Sequence, residues 1–421
     1  MTHSRLPSTT WLLIAGDAVS ALGTGLVLPL TLIYLHQVRY IALPEVGLLL
    51  AASGAVGLVA VPLAGVALDR FGARAVLIVV LAGQALAEAG LAWVHSVATA
   101  LPIVLVLGAS LGPSFPAFQT MLAGVNRDPA AQQRAFAINF TGINAGIGAG
   151  GAIGAAVANP ADPATFQILF LANALSCVIF AAIVFALPDV RAPHQPHQPK
   201  AGYREVVANR SLRTVLVAML ALAFTGYAAL DSGLPAYATV EARVPVHVVA
   251  LSITANTAVI VASQLLVLRL VRRLRRSRAL AAIGLIWAAS WAIFGLSALP
   301  ASAGLRVACV LLFGALFAVG ETFMAPTMSP LVNSLADEHV RGRANALASM
   351  AYSIAFVASP AICTGMIAAG LAAAWIGLLC AGCAGTVLLG VRLGRQLSPQ
   401  QDKVGEPEPP AAEPAMTVTQ P

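Results

Sequence analysis

Charge is what this sequence has least of. Of its 421 residues, 24 are Lys or Arg and 17 are Asp or Glu, 10% in all, where soluble proteins carry roughly a quarter. That excludes an ordinary cytosolic enzyme, a disordered chain and a nucleic-acid binder. Lysine is nearly missing, with only Lys200 and Lys403. Cysteine is scarce as well. Cys177, Cys309, Cys363, Cys380 and Cys383 all lie inside apolar runs, whereas a disulfide framework needs them in polar, oxidising loops. Cys380 and Cys383 have the C-x-x-C spacing but no βαβ context, so they read as small helix-packing residues. Histidine offers no catalytic pairing beyond the adjacent Glu338 and His339. No metal site and no cofactor are expected.

What is abundant is apolar residues, at 59%, with a mean hydropathy of +0.85. They fall into uncharged runs near the roughly 20 residues needed to cross ~30 Å of hydrocarbon. The windows predict twelve spans, over 11–35, 45–67, 75–95, 99–124, 134–157, 166–188, 212–237, 246–270, 279–299, 306–334, 343–367 and 373–393. The first follows Arg5, is too long for a signal-peptide core and is expected to be retained. Cytoplasmic loops concentrate Lys and Arg. With the N-terminus inside, only Arg39, Arg243 and Arg306 of the 24 bases fall on the outer side. Both termini are therefore expected in the cytoplasm, and the sequence pI of 9.5 becomes a topology signal.

The longest polar interruption holds Pro193, His194, Gln195, Pro196, His197, Gln198 and Pro199. Two histidines are few for a metal site, and the composition reads as a flexible linker. The expected organisation is a six-helix bundle over 1–188, a cytoplasmic linker over 189–211, a second six-helix bundle over 212–396 and a disordered tail over 397–421. The bundles overlay weakly with a shift near 206–209. Pro29 meets Pro235, Arg134 meets Arg343, and Gly150 and Gly151 meet Ser359 and Pro360. Duplicated six-helix halves are typical of secondary transporters, whose substrate site lies at the interface near the bilayer midplane.

Between spans two and three the chain reads Gly65, then Asp69, Arg70, Gly72 and Arg74. Gly65 and Gly72 would permit a tight turn and close helix approach. Arg70 and Arg74 could pair with nearby acids, Asp128 being a candidate. This loop resembles the signature loop of the major facilitator superfamily. Gly320, Glu321 and Pro326, with Arg341 to Asn345 beyond, resemble the tenth helix and following loop of bacterial multidrug/proton antiporters in that superfamily. Gly142, Gly146, Gly150 and Gly154 recur every four residues along span five. Such a ladder lets two helices touch backbone to backbone. It resembles the antiporter motif of the fifth helix, with Gly151 where that motif usually has Pro, while Pro360 marks the matching place in span eleven. The Arg common in span four of these antiporters is missing, since Val104 to Ser110 contains no base. The resemblance implies an all-α membrane fold of two pseudo-symmetric six-helix bundles in a bacterial inner membrane, working as a monomer.

Four acids lie within the spans: Asp17, Glu88, Asp231 and Glu321. An ionisable group at that depth is costly and is a functional candidate by default. It can take a proton on one side and release it on the other. In the superfamily fold, helices one, four, seven and ten line the cavity, which favours Asp17, Asp231 and Glu321 over Glu88. Residues three, four and seven apart share a helix face. That groups Glu321 with Phe317, Met324 and Met328, and Asp231 with Tyr227 and Phe224. Span four adds Phe115, Phe118 and Gln119, and span eight adds Ser252, Asn256 and Ser263. Aromatics, thioethers and one acid suit lipophilic, often cationic, molecules, though each such residue is also an ordinary packing residue. The expected function is proton-coupled export of small amphipathic compounds, with lipid, protons and a small molecule as partners. The alternatives are an exporter or importer of a specific metabolite and, more remotely, an integral membrane transferase, which would need a His/Asp or metal cluster.

Overall fold

The computed structural model describes residues 6–126, 128–188, 203–271, 274–299, 302–336, 340–398 and 401–402. Among them, twelve helices are long and apolar enough to cross a membrane. They are α1 (Ser8–Val38), α2 (Leu43–Phe71), α3 (Ala73–Leu91), α4 (Val97–Val125), α5 (Pro129–Val157), α6 (Pro163–Ala186), α7 (Arg210–Val240), α8 (Val246–Val271), α9 (Arg276–Leu296), α10 (Ala303–Leu335), α11 (Arg341–Ala368) and α12 (Ala372–Gln396). Side-chain caps start several of them: Ser96 on α4, Asp128 on α5, Asp162 on α6, Asn209 on α7 and Ser302 on α10. Two sharp turns use glycine with positive φ, Gly72 at 84° and Gly370 at 74°, where a side chain would be strained. Gly370 supplies the break between α11 and α12, which composition left weakly marked.

The helices form two six-helix bundles with matching packing. In the first, α1 packs on α5 and α6, α3 on α4 and α6, and α2 on α4. In the second, α7 packs on α11 and α12, α9 on α10 and α12, and α8 on α10. Adding six to each helix number turns one set into the other. The bundles meet along two further pairs that obey the same rule, α2 with α11 and α5 with α8. The start of α1 and the end of α12 lie at one end of the molecule, the end nearer the termini. Of the expected linker, 189–202 lies outside the described residues, and its remainder includes a short helix, Tyr203–Ala208. Of the expected tail, 399–400 and 403–421 lie outside them. Asp402, before that point, is buried and docks on the start of α9, accepting from the Ser277 N–H and Oγ at 2.8 Å each.

Glycine sets the close contacts of the first bundle. A Cβ on Gly146, Gly150 or Gly154 would come within 2.6, 2.1 and 2.6 Å of the carbonyls of Ala18, Leu22 and Leu26 on α1. Gly142 makes only an ordinary contact with Ala18. The ladder therefore joins α5 to α1. The opposite side of α5 joins the bundles: a Cβ on Gly148 would lie 2.7 Å from Thr257 of α8, and one on Gly151 3.4 Å from Thr254. The matching contact brings Gly47 of α2 against Pro360 and Thr364 of α11. The Pro360 carbonyl accepts from Thr364 Oγ1.

These contacts sit at the end away from the termini. Toward the termini the same helix faces come apart. On α2, Val61 is exposed and Gly65 has nothing within 4 Å of a built Cβ. On α8 and α11, Val261, Met350 and Ile354 are exposed. The buried cores agree. One cluster runs through the second bundle and, at the far end, continues into α1 and α2, while the terminal end of the first bundle has its own core around Leu13, Leu77, Phe118 and Phe180. The molecule is closed at the far end and open toward the termini.

Candidate functional site

Glu321 is the focus of the site. It is half-buried on α10, midway between the open and closed ends. The Asn256 amide of α8 donates to its Oε2 at 3.3 Å. Tyr227 of α7 and Tyr352 of α11 also lie beside the carboxyl. Four helices of the second bundle thus converge on one acid. The two tyrosine rings are 6.1 Å apart. Below them Trp287 of α9 is wedged between two glycines: a Cβ on Gly226 or Gly320 would lie within 2.2 and 2.6 Å of its indole. The indole N–H donates to the Phe317 carbonyl at 3.0 Å, and its ring meets Tyr227 edge-on at 6.2 Å.

The helix that carries Tyr227 is irregular. Residues Phe224–Ala228 form a π-turn, a local widening often found at functional sites. It separates residues that regular spacing would place together. Phe224 points its ring at Trp375 of α12, 5.9 Å away, and Tyr227 turns to Glu321. The expected shared face of Phe224, Tyr227 and Asp231 is therefore broken. The Thr225 carbonyl within the turn accepts from the Trp291 indole at 2.7 Å.

The other three acids have different surroundings. Asp17, half-buried on α1, accepts from the Asn139 amide of α5 at 3.0 Å. Asp231 on α7 has no hydrogen-bond partner among the described residues. Glu88 is 7% exposed and lies inside the first bundle beside Asn173 of α6. Its Oε2 has no hydrogen-bond partner there. Glu88 is thus apart from the interface where Glu321 sits.

Several residues expected to line the cavity are packing residues instead. Phe317 is fully buried and stacks flat on Trp287, centroids 4.5 Å apart. Phe118 is buried against Phe180 of α6. Met324 and Met328 are buried in the core of the second bundle. A face shared with an acid is not a face turned to the cavity, because α10 also has α8 and α9 to pack against. Phe115, at 65% exposed, and half-buried Gln119 face less crowded surroundings. On α8, Ser252 donates to the Val310 carbonyl and ties α8 to α10, whereas Asn256 reaches the acid.

The signature loop departs from expectation in two places. Gly72 makes the turn, while Gly65 faces open space. Asp128 is occupied in capping α5, accepting from the Ala131 N–H at 3.0 Å, so it is not the partner of Arg70 or Arg74. Arg74 donates to the Phe185 carbonyl at the end of α6 and lies over that ring. Arg70 lies over Phe71, and the Asp69 side chain is outside the described set.

The comparisons with known proteins agree with this architecture. The family model described as Major Facilitator Superfamily matches residues 13–360 and again 217–417. An uncharacterised MFS-type transporter, YttB of Bacillus subtilis (strain 168), is 24% identical over 180 residues, 43% of this chain. That match spans 44% of the relative's own length. Among solved structures, a D-xylose–proton symporter superposes with a TM-score of 0.72 at 13% identity, covering 94% of this chain and 98% of that one. The nucleoside transporter NupG gives 0.71 at 12%, covering 92% and 99%. The xylose transporter XylE from E. coli, in an inward open conformation, gives 0.70 at 15%, covering 93% and 96%. The chain belongs to the Major Facilitator Superfamily. Its twelve candidate spans make it a multi-pass membrane protein, and its family and fold are those of transporters rather than enzymes.

Proposed function

We propose that this transporter exports small lipophilic or amphipathic compounds in exchange for protons, with Glu321 as the coupling acid. The observation that carries the reading is the convergence of Asn256, Tyr227 and Tyr352 on that carboxyl from three other helices. An acid held by movable elements can exchange its proton when their arrangement changes. Those elements are α7, α8 and α11, all of which touch the first bundle, α8 and α11 most extensively. Asp17 with Asn139, and Asp231, are the further acids of the same pathway. The exposed Phe115, Phe140, Met350 and Ile354 toward the open end favour an apolar substrate. The bias of Lys and Arg toward the termini end supports a cytoplasmic location for both termini. The open end then faces the cytoplasm of a bacterial cell, and the protein works as a monomer of two bundles, 1–188 and 212–396.

The test is proton-driven efflux from proteoliposomes with a panel of lipophilic cations, with and without an uncoupler. Glu321→Gln keeps the shape and removes the exchangeable proton. It is expected to lose gradient-driven efflux while retaining substrate binding and equilibrium exchange. Unchanged gradient-driven efflux in Glu321→Gln would sink the assignment. Gradient-driven uptake of a polar metabolite by the parent protein would favour the metabolite alternative.

A further inference from the structure

At the closed end, the two bundles together line an open groove of about 450 Å³. The first bundle lends it Gln37 and Asn159, and the second lends Thr239, Arg243 and His247. No acid is among its lining residues. The nearby Glu241 lies beside Tyr237.

The bases at this end are few, and their engagements differ. Arg39 is committed: it donates to Tyr34 Oη at 2.7 Å and to the Ala92 carbonyl at 3.0 Å, and it contacts His95. Arg306 donates to the Ala242 carbonyl at 3.3 Å. Arg243 is exposed and has no hydrogen bond or ion pair to any described residue. Its backbone is held in the left-handed region, φ 51°, a costly conformation for a residue with a side chain. The neutral groups around it complement the charge. Asn159 Oδ1 is used within its own loop, accepting from the Ala161 N–H, so its amide N–H groups remain to donate. Gln37 adds a second amide. A guanidinium and amide donors lining one groove are the groups that suit an oxyanion.

We propose that this groove binds an oxyanion group, the phosphate of a free anion or of a phospholipid headgroup, and that its binding holds the far end closed. The donors come from both bundles, so the complete site exists only while that end is shut. A ligand that binds one state better shifts the population toward it. Bound oxyanion therefore slows the step that opens the far end. The inference is independent of the proton and substrate assignments above.

The probe is a cysteine in the groove wall, Ala158→Cys, whose labelling by a water-soluble thiol reagent is compared with the parent chain's. In detergent at fixed ionic strength, inorganic phosphate is expected to slow labelling severalfold relative to chloride. Adding Arg243→Gln should remove that protection, and Arg243→Lys should keep part of it. A second arm uses nanodiscs without phosphate in the buffer, made of phosphatidylcholine alone or with phosphatidylglycerol. Protection by free phosphate identifies a soluble anion, and protection only by the anionic lipid identifies a headgroup. Absence of protection in both arms, or protection that survives Arg243→Gln, overturns the proposal. Arg243→Gln is also expected to raise the transport rate when phosphate is present and to leave it unchanged in chloride.

Discussion

The two bundles share one packing plan and weight its materials differently. In the first, α5 lies on α1 through glycine, and the carbonyls of Ala18, Leu22 and Leu26 fill the space that side chains would take. In the second, Trp287, Trp291, Phe313 and Phe317 pack into a continuous aromatic core, through stacked, tilted and edge-on contacts. Trp11 and Trp93, the tryptophans of the first bundle, are both exposed. Backbone contact leaves the first bundle little room to change shape. Rings wedged between glycines leave the second a layer that can shift around its acid. The same contrast divides the acids: Asp17 bonds along the tight α1–α5 seam, while Glu321 sits among side chains of three other helices.

That contrast can be broken most severely at Gly150. A valine there would drive its Cβ to about the 2.1 Å now separating a built Cβ from the Leu22 carbonyl. Backbone cannot yield as a flexible side chain can, so Gly150→Val should leave almost no monodisperse protein by size exclusion. Trp287→Ala in the second bundle should instead give a folded but weakened protein. A loss of about 3–5 kcal/mol is the usual range for a large aromatic, measured by thermal unfolding in detergent. If Gly150→Val were the milder of the two, the assignment of rigidity to the first bundle would be wrong. The acids give a finer comparison. Asn139→Ala and Asn256→Ala each remove one donor to a carboxyl, an effect of about 1–3 kcal/mol on stability. Gradient-driven efflux should fall further in Asn256→Ala. Equal transport losses would make Asp17 and Glu321 functional equals. The smallest effect is expected for Gly65→Ala, where nothing lies within 4 Å. Its unfolding temperature should match the parent's, with the turn at Gly72 as the sensitive control.

The spans were readable because hydrocarbon thickness imposes a length on every one of them, and the bundle repeat was readable where both copies kept a residue, as at Pro29 and Pro235. The sites were less so. Tyr352 has no periodic relation to Glu321, since it arrives from another helix and only tertiary packing brings it near. The π-turn at Phe224–Ala228 left no spacing signal, and it is what parts Phe224 from Tyr227. Gly226 and Gly320 were visible as glycines, yet their meaning, a slot for the Trp287 indole, depends on three helices at once. Gly148 and Gly151 fall between the rungs of the ladder, and their contact with α8 needed the second bundle to be seen. Phe317, Met324 and Met328 were misplaced for the converse reason: helical spacing gives a face but not the neighbour it meets.

The docking of Asp402 has a consequence for assembly. The first turn of α9 carries Arg276 and Arg278, cations at the helix end where the dipole favours an anion. The carboxylate that corrects this comes from beyond α12, 125 residues later in the chain. During synthesis α9 enters the membrane with its start uncapped. That start is completed only when the last helix has been inserted and the chain has turned back. Loss of Asp402 would therefore be felt as slower or less complete maturation of the second bundle before it was felt in transport.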